Sequence, residues 1–228
     1  QVIHRRHERK HPLSKTRNLE ILLRQPVRSE RIWLCLGLEY AHNGMVDESI
    51  QAFEAYLPLS TVQDEKYKAY TFLGDLYRAK QDYDRSISYY TVASGLRPTW
   101  RDAWAGLLKV SVLREDWERG VYYGSLAKQG VMPDTVFAYS PMHGAIDWAR
   151  DYLQVLLRYQ EYEQALEILE QQHVYLPENQ QVLDDIDRVS VAINVQKGMG
   201  AVAEAVEFFL RNDDAETAAM IIGRLHPS

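Results

Sequence analysis

His4, His7 and His11 crowd the first residues of this 228-residue chain, beside Arg5, Arg6, Arg9 and Lys10. If that segment is helical, His7 and His11 share a face at i,i+4, and His4 and His7 at i,i+3, spacings at which two imidazoles can hold one cation. No HExxH, CxxC or paired carboxylates complete a closed site, so the histidines alone make no metal centre. A Ser/His/Asp arrangement and a Gly-rich phosphate loop are also missing, and no independent active site can be assembled. A second candidate is Tyr139-Ser140-Pro141-Met142-His143-Gly144, inside an expected loop from Thr135 to Ala145 that exceeds the usual connection between helices. Loops of that excess often carry function, which singles out Tyr139, Met142 and His143. The single cysteine, Cys35, sits between Leu34 and Leu36 and is expected to be a buried structural thiol.

The elements that position these residues follow from a period of about 34 residues. Trp33, Leu36, Gly37, Tyr40, Ser49 and Phe53 return as Tyr70, Leu73, Gly74, Tyr77, Ser86 and Tyr90, followed by Pro98. The period weakens through Trp104, Leu107, Gly120 and Ala127, then recovers at Tyr152, Leu153, Ala165, Leu169 and Pro177. This pattern resembles the tetratricopeptide (TPR) repeat, two antiparallel helices that bury their apolar faces only by stacking on neighbours. The resemblance implies an all-α, TPR-like α-solenoid of antiparallel helix pairs with C-terminal capping helices. Residues 1–29 read as a linker and lead-in helix (14–25, stopped by Pro26) from a missing upstream domain. Four repeats are expected at 30–63, 67–100, 101–134 and 146–179. Residues 180–228 are expected to cap or dimerise the array through helices at 180–197, 201–211 and 213–225. Gly120 and Gly124 replace the expected small and aromatic residues of the third repeat, implying a close backbone approach or a weaker helix there.

Charge bears on partners. Residues 1–31 hold nine Lys or Arg against three Glu, +6 by count, leaving −12 on the rest of a chain whose formal net charge is −6. Such a basic segment marks either an arm for nucleic acid or membranes, or a connector with acidic neighbours; the connector is favoured. The aromatics do not interleave with exposed basic residues, which argues against nucleic acid. No apolar run is long enough to span a membrane, and a reducing, cytoplasmic setting fits the lone thiol. In TPR arrays the first helix of each pair lines a concave groove, and the matching positions here include Arg31, Lys68, Asp75, Arg78, Lys109, Arg150, Gln154 and Arg158. A mixed, cation-rich groove suits a polar or acidic peptide; the alternative is a merely solvated helix face. The carboxylate clamp of chaperone-binding TPR domains is not reproduced, because Leu34, Leu38, Phe72, Asp102 and Gly106 stand at its positions. Trp33, Trp104, Trp117 and Trp148 are expected to pack repeat cores, with Trp100 less constrained. Val202, Val206, Phe208, Phe209, Leu210, Met220, Ile221 and Ile222 are more apolar than one buried stripe needs, consistent with a homodimer contact.

A further resemblance rests on Ile3-His4-Arg5 and on His11-Pro12-Leu13-Ser14-Lys15-Thr16-Arg17-Asn18-Leu19 with Leu22-Leu23, running directly into the repeats. This junction resembles that of bacterial and phage family 2 glycosyltransferases whose GT-A domain precedes a TPR region. The resemblance implies a parent enzyme that uses a nucleotide sugar and a divalent metal held by an upstream Asp-rich motif. His4, with His7 second, would complete that metal site. The present residues would be its non-catalytic part, with no cofactor of their own, docking an acceptor protein or mediating dimerisation. A free-standing TPR adaptor or scaffold, with no enzyme attached, is the alternative.

Overall fold

Among the described residues, the four repeat pairs turn on the same backbone device. With Glu30, Tyr67, Arg101 and Ile146 as first positions, the fifteenth residue of each repeat is left-handed: Gly44 (φ 74°), Gln81 (62°), Glu115 (56°) and Gln160 (58°). At the sixteenth position, the amides of Met45, Asp82, Asp116 and Glu161 donate to the carbonyls of Tyr40, Tyr77, Ser111 and Leu156, each at 2.9 Å. The fifteenth amide reaches back to the twelfth carbonyl in all four, as in Gln81 to Arg78 at 2.9 Å. This paired 6→1 and 5→2 closure satisfies carbonyls that a helix end leaves open, and it reverses the chain within about three residues. Asp82 and Asp116 then cap the following helices by accepting from the amides of Arg85 and Arg119, each at 3.2 Å.

The computed structural model describes residues 14–131, 141–211, 215 and 217–219, and the chain divides into two compact units, 1–144 and 145–228. In the first unit, α1 (Ser14–Leu23) leads into three pairs: α2 (Glu30–His42) with α3 (Val46–Tyr56), α4 (Gln63–Ala79) with α5 (Tyr83–Leu96), and α6 (Arg101–Leu113) with α7 (Trp117–Gln129). The second unit contains α9 (Tyr162–Tyr175), α10 (Gln180–Arg211) and most of α8 (Pro141–Arg158). Among the described residues the β pairing is a single parallel bridge, Trp100 with Val131, which ties the start of α6 to the end of α7.

Packing within the first two pairs is a knob in a notch. A Cβ on Gly37 would lie 2.7 Å from the Phe53 ring, and one on Gly74 would lie 2.6 Å from Tyr90. The hydroxyls of Ser49 and Ser86 donate to the carbonyls of Gly37 and Gly74, each at 2.8 Å, fastening the second helix to the notch. In the third pair the partners change sides. Leu108 stands where glycine was and is fully buried, while buried Gly124 stands where the aromatic was. Volume is exchanged across the interface instead of lost, so α7 keeps a full 13 residues.

Several boundaries move. The lead-in helix stops at Leu23, two residues before the expected end. α4 starts at Gln63, because the spare residues between the first two repeats become a helical turn. In that turn Glu65 meets Arg31 at 3.2 Å and the Tyr56 hydroxyl at 2.9 Å, and Asp64 accepts from Arg97 Nε at 2.6 Å. Residues 141–145 of the expected loop are helical, so Met142 and His143 fall in the first turn of α8, while Tyr139 lies outside the described residues. The two expected helices 180–197 and 201–211 are one helix of 32 residues. Gly198 and Gly200 weaken such a helix by about 1 kcal/mol each without stopping it, since they follow helical geometry without strain. Cys35 is half-buried.

Candidate functional site

The first helices of the pairs carry the candidate binding face, and in the first unit its charges are engaged internally. Arg78 donates to Asp75 Oδ1 at 2.7 Å, the Tyr90 hydroxyl donates to the same oxygen at 2.8 Å, and Arg78 Nε lies 3.5 Å from that hydroxyl. Tyr90 closes this triangle from a fully buried ring, and burial pushes its phenol well above its ordinary pKa. The ring lies between Gly74 on one side and Gly106, whose Cβ would come within 2.3 Å, on the other. Lys68 is only 7% exposed, so it does not present its charge as a groove cation. Burial lowers its pKa, opposed by the attraction of Asp102. Burial likewise lifts the Asp102 carboxyl to about 6, against the pull of Lys68 and Arg101 and with a push from Asp75. Desolvation thus opposes the charge of both groups, while each favours the charge of the other. Arg31 is exposed but pairs with Glu65, and Lys109 is half-buried.

In the second unit the candidate face lies on α8. Arg150, Gln154 and Arg158 are all exposed on α8. Leu157, between the last two, is 39% exposed and lines a pocket of about 240 Å³ built by α8, α9 and α10. Leu153, Tyr162, Leu169, Val189 and Ala192 complete its apolar wall, and Asp185 and Arg188 add an ion pair at 3.4 Å. The sequence gives Gln154 and Arg158, on either side of Leu157, as groove residues but not the pocket, because its walls come from three helices whose mutual packing no local pattern fixes.

The other candidates are placed as follows. His4 and His7 lie outside the described residues, and among the described residues no group of three or more His, Cys, Asp or Glu could hold a metal ion. Trp148 is buried and Trp33, Trp104 and Trp117 are half-buried, as repeat-core packing requires. Trp100 is held more firmly than expected, edge-on to Tyr67 at 4.8 Å with the Arg97 guanidinium 5.7 Å over its ring. Of the apolar C-terminal residues, Val202 and Val206 are half-buried and Leu210 is exposed; the side chains of Phe208, Phe209, Met220, Ile221 and Ile222 lie outside the described residues. No helix among the described residues is long and apolar enough to cross a membrane.

The sequence profile of the tetratricopeptide repeat family matches residues 69–102. No curated protein matches the chain. Among solved structures, that of MamA protein is similar over 87% of this chain and 96% of its own, with 16% identity and a TM-score of 0.53. The assembly chaperone of RpL4, Acl4 (residues 1–338), is similar over 75% of this chain and 70% of its own, with 13% identity and a TM-score of 0.51. At such identities the likeness concerns the fold alone. The chain carries a tetratricopeptide repeat region within an all-α, solenoid-type fold.

Proposed function

We propose that this chain is a TPR adaptor or scaffold that binds a protein partner along the first helices of its pairs and catalyses no reaction itself. The observation that carries this reading is the exposed Arg150, Gln154 and Arg158 row on α8, a cationic face in a chain of net charge −6. Cations kept on a regular helix face within an acidic protein favour carboxylate-bearing partners by charge-assisted bonds. Cross-linking mass spectrometry in the native cell tests it. A specific partner should cross-link to the wild type and disappear with Arg150→Glu/Arg158→Glu; a partner retained by that variant moves the face elsewhere.

The junction motif from Ile3 to Leu23 supports a second reading, in which the same face docks an acceptor protein for a family 2 glycosyltransferase. His4 and His7 would then serve a divalent metal together with an upstream domain, and the enzyme would take a nucleotide sugar. An Asp-x-Asp motif after alternating β/α segments in the upstream reading frame would favour this reading, and a frame without one would leave the adaptor. Self-association through the C-terminal helices is compatible with both, and sedimentation of the chain across concentration decides it.

A further inference from the structure

We infer that the pocket between α8, α9 and α10 is an anchor site for one apolar side chain of a partner peptide, of leucine to phenylalanine size, with a carboxylate placed within a turn of that anchor. This inference rests on the adaptor reading and gives its face a specific occupant. Size limits the guest first. An apolar cavity on the order of 150 Å³ accommodates a benzene ring, and drug-sized ligands need pockets above roughly 300 Å³. A pocket of about 240 Å³ therefore suits a single large side chain better than a metabolite. The wall chemistry agrees, since Leu153, Leu157, Leu169, Val189 and Ala192 offer dispersion contacts, and the polar lining is Tyr162 with the mutually paired Asp185 and Arg188.

Charge selects the flank of the guest. On α8, Arg150 precedes Leu153 by three residues and Leu157 by seven, so the three share one helix face. Arg150 is exposed. On the opposite wall, Arg188 and Asp185 neutralise one another at 3.4 Å. Among the described residues, exposed Arg150 lies one turn from Leu153 on α8, and the planar fork of its guanidinium matches a carboxylate. An apolar anchor surrounded by polar contacts is also the usual energetic centre of a protein interface.

The test is a display library of twelve-residue peptides with a randomised centre and randomised flanks, selected on the 228-residue protein. Enriched peptides should carry Leu, Phe or Trp at a fixed place with Asp or Glu within about four residues of it. Fluorescence-anisotropy titration of a labelled winner should weaken about tenfold or more with Leu157→Asp and several-fold with Arg150→Glu. Arg119→Glu, on the second helix of a pair in the first unit and 64% exposed, should leave the titration unchanged. Leu157 is 39% exposed, so its substitution should fold, and far-UV circular dichroism checks this. Winners that ignore Leu157→Asp, or enrichment equal on wild type and variant, would overturn the pocket. The adaptor reading would survive that result if a native partner still depended on Arg150 and Arg158, and it would fall separately if no partner did.

Discussion

Tyr90 shows how one residue couples two repeats to a charge network. Its ring fills the notch at Gly74, abuts Gly106 of the next pair, and its hydroxyl reaches the carboxylate that holds Arg78. Gly106→Ala should therefore destabilise by roughly 1–3 kcal/mol, because the added methyl must displace a buried aromatic ring and not a mobile side-chain end. An unchanged urea midpoint would show that α5 and α6 can part without cost. Asp102 makes a prediction of a different kind. Its carboxyl titrates near 6 in the folded chain and near 3.9 when unfolded, so the folded state holds the proton more tightly. The stability this supplies is complete below about pH 3.9 and is lost as pH rises through about 6. Asp102→Asn, which cannot ionise, should gain on the wild type across that interval in urea titrations at pH 4 and pH 6.5. Parallel pH slopes for the two proteins would mean that the carboxyl is solvated and that Lys68 and Arg101 do not face a desolvated partner.

At the scale of the element, the recurring glycine, aromatic and small residues made the helix pairs legible, since each type answers a steric need the structure shows. Gly37 and Gly74 take rings that no Cβ would admit. The third pair looked degenerate because the profile fixes residue types at positions, whereas packing fixes only the summed volume; Leu108 and Gly124 meet that need from exchanged sides. The left-handed residue of the turn has a sequence signal at Gly44 and none at Gln81, Glu115 and Gln160, where the closing hydrogen bonds impose that conformation whatever the side chain. The reverse error occurred at Gly198 and Gly200, read as a break. Nothing lies within 4 Å of a Cβ built on either, so neither glycine relieves a contact. Replacing each by Ala should stabilise the chain by up to about 1 kcal/mol, as in any open helix interior. If thermal melts show a loss instead, α10 is interrupted there and ends as two helices.

For the whole molecule, the division into residues 1–144 and 145–228 has a consequence for folding. A helix pair cannot bury its apolar face alone, so stability grows with the number of stacked neighbours. The first unit has three complete pairs, with links one repeat apart: Lys80 to Asp47 at 2.6 Å, Arg114 to Asp84 at 2.7 Å, and the Ala103 amide to the Tyr67 hydroxyl at 3.0 Å. Exposed ion pairs contribute little singly, but the buried tyrosine bond and the shared rings are not exchangeable with water. Within the second unit, residues 194–201 of α10 are exposed on every side, and Val191, Val195 and Met199 are more than half exposed. A fragment ending at residue 140 should accordingly unfold cooperatively in urea with most of its helix content retained at the start. A fragment of residues 141–228 should be marginal, recovering helix when concentration or a bound peptide covers apolar surface. The opposite ranking, with the second fragment the more stable, would mean that stacking of pairs is not what holds this chain together.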